Sequence, residues 1–338
     1  MSSSYSVVIA VDRIDKPLPV LKGLSQLPAA ERPKEIYACV GKNPSLQRNS
    51  GVKLCKTPLV YFLDDDSFVN PGTPRRLMSH FEQERTAVVG GPNLVPPTAS
   101  SFERTVNAVL ASWMGSFSVR SRYASIGAVR EATEKELILC NMMVRRDSFA
   151  SENGFRVDLY PNEENEFLNR LLHKGYRLVY DPGAAVYRSR RKSLWAFCYQ
   201  AFRYGRGRAR QMKVYPCLSD LIHLAPAFFV IYALAMLGTV AAQPPQLTPY
   251  LSMASLPLLL FFVLALGTGI SAASWHRRFL DAFKVPILIF LRQFFYGLGL
   301  FGGFFTSIPK PPLEVAVYRV KPGKKNHFTR VTLPKAKR

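Results

Sequence analysis

The first half of the chain is built from short apolar runs separated by amphipathic stretches. Residues 6–11 (SVVIAV), 35–40 (EIYACV), 59–63 (LVYFL) and 86–89 (TAVV) are rich in β-branched and aromatic residues. Each is bounded by turn or polar residues, the pattern of a buried strand. Between them, residues 17–27 and 74–84 repeat their apolar positions at helical spacing, with Pro74 suited to an early helical position. Phe167, Leu168, Leu171 and Leu172 mark a further amphipathic helix, and residues 176–180 a further strand. Alternating strands and helices predict an α/β fold with a mostly parallel, helix-covered central sheet. Ligands of such sheets sit at the carboxyl ends of the strands.

After residue 190 the pattern changes. Residues 193–212 read as a basic, aromatic, amphipathic helix suited to a bilayer surface, within an interfacial region spanning 191–220. Residues 221–242 and 251–273 each exceed twenty positions without Lys, Arg, Asp or Glu, enough to span a membrane. Their connection, QPPQLTPY, is uncharged, whereas the following SWHRRFLDAFK is basic. That asymmetry predicts a hairpin with both ends in the cytoplasm. A third apolar segment, 285–308, is interrupted by Arg292 and Gln293 and is expected to be re-entrant or interfacial rather than a third span. The organisation expected is therefore a cytoplasmic domain (1–190), the interfacial region, a membrane region (221–308) and a basic cytoplasmic tail (309–338). The last eighteen residues of that tail are expected to be at least partly disordered.

Charge supports this division. There are 45 Lys and Arg against 23 Asp and Glu, a net charge of +22. Residues 188–213 hold nine Lys/Arg and no acid, and residues 310–338 hold nine more against Glu314 alone. Basic residues flanking apolar segments point to the cytoplasmic face of an inner membrane, and no recognition motif accompanies them to suggest nucleic acid. The five cysteines form no CxxC pair and the five histidines are scattered, so neither a disulfide framework nor a zinc site is expected. The start, MSSSYSVVIAV, runs directly into a strand without the features of a signal peptide. No feature specifies an oligomeric state.

Three segments carry candidate chemistry. In LVYFLDDDSFVNPG, three adjacent carboxylates repel one another unless a cation or basic partner sits among them. On an extended segment Asp64 and Asp66 project the same way and Asp65 the other, so the outer pair suits Mg²⁺ or Mn²⁺ shared with substrate phosphates. A helix cap with a solvated acidic loop is the plainer alternative. In LYPNEENEFLNRLLHKGYRLVYDP, Glu163, Glu164 and Glu166 precede a helix; they suit its positive end, or one of them serves as general base. In WAFCYQAFRYGRGRAR, Gln200 and Arg203 share a helical face beside Tyr204, an arrangement suited to a diphosphate or to anionic lipid.

In this order, and followed by an apolar hairpin, these segments resemble the family-2 glycosyltransferases with a GT-A fold, and among them the membrane-associated bacterial exopolysaccharide type that assembles succinoglycan. FLDDDS resembles the family's DxD metal strand and ILCNMMVRRDSFASENGF its acceptor-side segment. NEENEFLNRLLHKGYRLVYDP is similar to its ED-containing helix, QAFRYG to its Q-x-x-R-W signature, and RQFFYGLGLFGGFF to a Gly-rich membrane segment. The resemblance implies an inverting transfer from a nucleotide-sugar donor to a lipid-linked or polysaccharide-precursor acceptor. Asp64 and Asp66 would hold Mn²⁺ or Mg²⁺ with the diphosphate. Asp65, Arg48, Gln200, Arg203 and Tyr204 would lie on the donor side, Asn141 on the acceptor side, and Glu164, with Glu163, would take the acceptor proton. The chain departs from the pattern in four places. Glu164 replaces an Asp, Tyr204 replaces a Trp, the first strand ends in AVDRID, and EIYACVGKN lacks the usual carboxylate. The altered first and second strands favour, as an alternative, a non-catalytic subunit that keeps the fold, while the intact triplet and Glu163-Glu164 disfavour it. A processive synthase is the other alternative, but two or three spans do not build a channel within one chain.

Overall fold

The computed structural model describes residues 4–214, 216, 218–242, 251–307, 314–322 and 326–333. The chain divides into two compact units, one of Met1–Pro97, Ser121–Ser189 and Pro309–Arg338, the other of Thr98–Arg120 and Arg190–Ile308.

The first unit begins with β1 (Tyr5–Val11), α1 (Pro19–Gln26), β2 (Glu35–Gly41), α2 (Pro44–Val52), β3 (Leu59–Asp64), β4 (Ser67–Val69), α3 (Thr73–Ser79), β5 (Thr86–Gly90) and β6 (Asn93–Leu94). The chain then supplies α4 (Ser101–Ala111) and α5 (Trp113–Ser116) to the second unit. It returns with β7 (Arg130–Glu131), β8 (Asn141–Arg145), α6 (Arg146–Ser151), α7 (Glu163–His173), β9 (Arg177–Tyr180) and β10 (Val186–Arg188). The second unit continues with α8 (Leu194–Val214), α9 (Ala225–Ala242), α10 (Leu251–His276) and α11 (Asp281–Phe305). The strands β11 (Val315–Lys321) and β12 (His327–Val331) complete the first unit.

Nine of these strands form one sheet in the order β12-β11-β2-β1-β3-β8-β5-β9-β7, and β4, β10 and β6 form a small second sheet. In the large sheet β12, β2, β1, β3, β5 and β9 point one way and β11, β8 and β7 the other. The expected α/β domain is therefore present, with a sheet that is mostly parallel in direction. Two features differ from expectation. The antiparallel β8 separates β3 from β5, and the basic tail forms an ordered hairpin in which β11 pairs with β2. In VAVYRVK, Val317 is buried on one face of the sheet and Val320 on the other, while Arg319 and Lys321 are exposed. Its charged positions interrupt the apolar run and hide the strand in the sequence.

The central strand β3 is covered on both faces. Leu59, Tyr61 and Leu63 pack with Val7, Ile9, Leu21 and Leu24, while Val60 and Phe62 pack with Val8, Phe149, Phe155 and Phe167 on the other side. Such double burial explains why LVYFL is continuously apolar instead of alternating. Phe62, Phe149, Phe155 and Phe167 form a ring cluster with centroids 4.9–5.5 Å apart. Phe167 thereby fixes α7 beneath β3 and leaves Glu163, one turn earlier, near the end of that strand. Helix α2 lies close against β1 and β2 because Gly51 has no side chain. A Cβ there would stand 2.6 Å from a Val8 methyl and 2.8 Å from Cys39 Sγ.

In the second unit, α11 packs on α8, α9, α10 and α4. Gly205 and Gly299 let α8 and α11 touch backbone to backbone, since a Cβ at either would overlap the carbonyl of Tyr296 or Phe202. Asp281 is fully buried; its Oδ1 accepts from Thr105 Oγ1 at 2.6 Å and faces Arg278 at 3.5 Å. Among the described residues, three helices are long and apolar enough to cross a membrane: Leu221–Ala242, Met253–His276 and Asp281–Phe305. The third runs unbroken through Arg292 and Gln293, where the sequence pattern suggested an interruption.

Candidate active site

The site is built at the carboxyl end of β3, where parallel strands β1 and β3 finish together, Ala10 opposite Asp64. The chain turns sharply through Asp65 and Asp66 into β4. The Asp65 carbonyl accepts from Val20 N at 3.2 Å, which ties the turn to α1.

Arg48 enters from α2. The sequence there, NPSLQRNS, is a set of clamps around one functional side chain. Asn43 caps the helix by accepting from Leu46 N at 3.0 Å and donates to Val157 O at 2.7 Å. Gln47 donates to Val11 O at 2.7 Å, and Asn49 exchanges two hydrogen bonds with the Phe155 backbone at 2.7 and 2.9 Å. Arg48, between them, is 5% exposed and bridges two carboxylates, Asp64 Oδ1 at 2.9 Å and Glu163 Oε1 at 3.2 Å. Its guanidinium is thus engaged within the acidic cluster.

The first turn of α7 divides its acids by burial. Glu163 is 1% exposed, and burial, then the neighbouring charge of Glu164, pushes its carboxyl up to about 8. Its Oε2, like Arg48 Nε, has no hydrogen-bond partner among the described residues. Glu164 is more open and stands 3.7 Å from Arg122 Nη1. Arg122 is itself fixed by Asn165 Oδ1 at 2.7 Å, by Lys135 O at 3.0 Å and by Glu134 O. Glu166 turns away to Arg170, at 2.6 and 3.0 Å, and serves the helix. Helix α7's positive end favours all three carboxylates.

Arg188 reaches the same place from β10. It donates from Nε to Asp66 Oδ1 at 2.7 Å and from Nη1 towards Asp64 Oδ2 at 3.0 Å. Asp65, not held in this way, has its carboxyl raised by burial and by the charges of Asp66 and Asp64. Four carboxylates, Asp64, Asp65, Asp66 and Glu164, therefore face three guanidiniums beside the protonated Glu163 carboxyl. The excess is negative, and the Asp64 and Asp66 oxygens converge on one cationic group. Hard oxygens with these properties fit a divalent cation that takes its remaining ligands from water and phosphate. No group of three His, Cys, Asp or Glu suited to a metal exists among the described residues.

Of the residues expected from sequence, the structure brings together Asp64, Asp65, Asp66, Arg48, Glu163 and Glu164. Asn141 is fully buried at the start of β8, its Oδ1 accepting from Tyr61 Oη at 2.6 Å and its Nδ2 donating to Pro92 O and Ala184 O at 3.1 and 2.7 Å. That amide is engaged by the fold and holds three segments together. Gln200, Arg203 and Tyr204 lie in the second unit on one face of α8, with Gln200 Nε2 donating to Tyr204 Oη at 3.0 Å. Arg122 and Arg188 were not singled out from sequence. Arg122 carries no local signal, whereas Arg188 closes a short β-like run, VYR, just after the DP turn.

Comparison with known proteins places this geometry in context. The family described as "Glycosyl transferase family group 2" matches residues 59–273, which includes the Asp64 turn, α7 and α8. Pre-mycofactocin glycosyltransferases of two Mycobacterium tuberculosis strains, CDC 1551 / Oshkosh and ATCC 25618 / H37Rv, are each 24% identical over 200 residues, 59% of this chain and 41% of theirs. The chain thus spans about two fifths of the length of these curated relatives. Among solved structures, the mannosyltransferase PcManGT from Pyrobaculum calidifontis, in complex with GDP-Man and Mn²⁺, aligns with 84% of this chain and 86% of its own at 14% identity and a TM-score of 0.49. GalNAc-T7 with UDP, GalNAc and Mn²⁺ aligns with 55% of this chain and 44% of its own at 12% identity and a TM-score of 0.38.

Proposed function

Because the chain belongs to glycosyl transferase family group 2, we propose that it transfers a sugar from a nucleotide-sugar donor, with inversion, to a lipid-linked or polysaccharide-precursor acceptor at the cytoplasmic membrane face. One observation carries this reading: the carboxylates of β3 and α7 converge at the carboxyl end of a central strand, interleaved with arginines. That arrangement suits a diphosphate leaving group on one side and a proton acceptor on the other. The likeness of the motifs to the succinoglycan-assembly type supports a polysaccharide precursor as acceptor.

Asp64 and Asp66 are the residues that would hold Mn²⁺ or Mg²⁺. A divalent ion there neutralises charge developing on the departing diphosphate. The reaction breaks the bond between the anomeric carbon and the diphosphate oxygen and forms one to the acceptor hydroxyl oxygen from the opposite face. Glu164 takes the hydroxyl proton. Its exposure fits that task better than the burial of Glu163, and Arg122 orients it. Glu163 instead keeps Arg48 in place beside Asp64. Gln200, Arg203 and Tyr204 would add donor contacts from α8.

The arrangement proposed in the membrane has two crossings. β11 pairs with β2, so Ser189 and Val315 belong to one folded unit. A bilayer cannot divide a hydrogen-bonded sheet, and an even number of crossings must separate those residues. α9 and α10 supply two, which leaves α11 lying along the surface. Within its own unit, 39% of the apolar window of α11 is buried, against 11% for each of the other two, and Gln293 donates to Met114 O at 2.9 Å. In sealed inside-out vesicles, a tag on the C-terminus should be as accessible to protease as one on the N-terminus; a protected C-terminus would overturn the two-crossing arrangement.

A second reading, a non-catalytic subunit of a polysaccharide-assembly complex, is favoured by the pairing of both outer carboxylates with Arg188. Nucleotide release from a panel of UDP-, GDP-, dTDP- and CMP-sugars, with Mn²⁺ and purified full-length protein, separates the two. Release from at least one donor, lost in Asp66→Asn, is the outcome expected of the enzyme. An intact panel, with binding no better than that of Asp66→Asn, would leave the non-catalytic reading.

A further inference from the structure

Arg188 stands where the carboxylate pair needs a cation, and the fold puts it there by register. β10 runs antiparallel to β4 with Arg188 opposite Ser67, one residue beyond Asp66. Its guanidinium consequently returns over the turn and joins Asp66 Oδ1 at 2.7 Å to Asp64 Oδ2 at 3.0 Å. The other Asp64 oxygen belongs to Arg48 at 2.9 Å.

The two arginines are not equivalent. Arg48 has a side chain 7% exposed and is anchored at its other side by Glu163. Arg188 is 26% exposed and sits at the end of a three-residue strand. A divalent cation seated on the pair would need the oxygens that Arg188 holds, and two like charges would compete for them. Loss of its own proton cannot release Arg188, because a guanidinium keeps its charge at any working pH. Exchange for another cation on the ionised pair can. A planar guanidinium displaced by a few ångströms is also well suited to phosphate oxygens, which it can bind in bidentate fashion.

We propose that Arg188 is the resident counter-cation of Asp64 and Asp66, that a divalent metal displaces it, and that it then engages the donor diphosphate. This rests on the metal-dependent reading above. Its consequence is coupling: metal alone binds weakly because it must evict Arg188, and a diphosphate strengthens metal binding by giving Arg188 a new partner. Coupling between two ligands of this kind is typically about 5- to 150-fold.

The test uses full-length protein in detergent, with free Mn²⁺ measured by electron paramagnetic resonance and inorganic pyrophosphate as the diphosphate probe. Arg188→Gln should bind Mn²⁺ alone about tenfold more tightly than the parent chain and should bind pyrophosphate in the presence of Mn²⁺ about tenfold more weakly. Arg188→Lys, which keeps one charge but cannot bridge two carboxylates, should fall between and should fold even where Arg188→Gln does not. Mn²⁺ affinity in the variants equal to or below that of the parent overturns the counter-cation role, and unchanged pyrophosphate affinity overturns the hand-over. If neither parent nor variants take up Mn²⁺, even with pyrophosphate present, the metal reading itself has failed. If all take it up equally, only the exchange has.

Discussion

The turn through Asp64, Asp65 and Asp66 and the first turn of α7 bring the same chemical group to the same end of the sheet, yet the fold treats them differently. The β3 turn is partly open, and its outer carboxylates are held by an arginine at the end of a short strand. The α7 turn is pressed into the Phe62, Phe149, Phe155 and Phe167 cluster, and its most buried acid, Glu163, is paired with an arginine that is itself buried. One set of carboxylates can exchange its counter-cation and the other cannot. The lesson is that the chemistry of an acidic residue here is set by how freely its partner can leave. Sequence proximity does not set it, since Glu163 and Glu164 are adjacent and differ as much as the two turns do.

Three substitutions probe that contrast. Asp66→Asn removes a charge from the exchangeable side and should lower transfer by about a thousandfold, the upper range for losing one electrostatic contact to a departing group. Steady-state rates with the donor identified by the panel measure it; a loss below tenfold would place the diphosphate elsewhere. Glu164→Gln should lower transfer about a hundredfold while leaving donor affinity unchanged, as removal of a general base does. Unchanged transfer would remove Glu164 from that role. Glu163→Gln should have the smallest effect on rate and a distinct effect on pH. Burial raises the Glu163 carboxyl from its usual 4.5 to about 8, so between those values the folded chain keeps a proton that the unfolded chain has released. Stability therefore falls as pH rises through that window. In Glu163→Gln the melting temperature should fall less between pH 5 and pH 8 than in the parent chain. An identical decline in both would show that Glu163 does not titrate as its burial implies.

Much of the architecture was legible because it rests on local pattern. The strands β1, β2, β3, β5 and β9 announce themselves as short β-branched and aromatic runs, and α7 and α8 as helical stripes. The acidic triplet declared itself by repulsion, since three adjacent carboxylates require a cation. What was not legible depends on pairing between distant segments. Arg188 belongs to the site only because β10 and β4 pair in one register, and Arg122 only because Asn165 and two carbonyls position it. The packing of Asn141 is hidden for the same reason. Its motif places it near the chemistry, while Tyr61, Pro92 and Ala184 take up its amide. The tail hairpin was hidden by its own lysines and arginines. They suggested a solvated extension, although β-edge strands commonly carry such charges to discourage unwanted pairing.

That hairpin also constrains the order of events during synthesis. β2 is made within the first 41 residues, and its edge partner β11 begins at Val315, after all of the apolar helices. The nine-stranded sheet cannot be finished as it leaves the ribosome. Its early strands must wait, with one edge unpaired, until α9, α10 and α11 have been placed. Closing a loop of that length adds little entropy cost over a shorter one, because the penalty grows only with the logarithm of length. The delay is a matter of time more than of stability, and an unpaired β2 edge is the kind of template that invites aggregation. A chain released before β11 and β12 are made would carry the complete acidic cluster on an unfinished sheet.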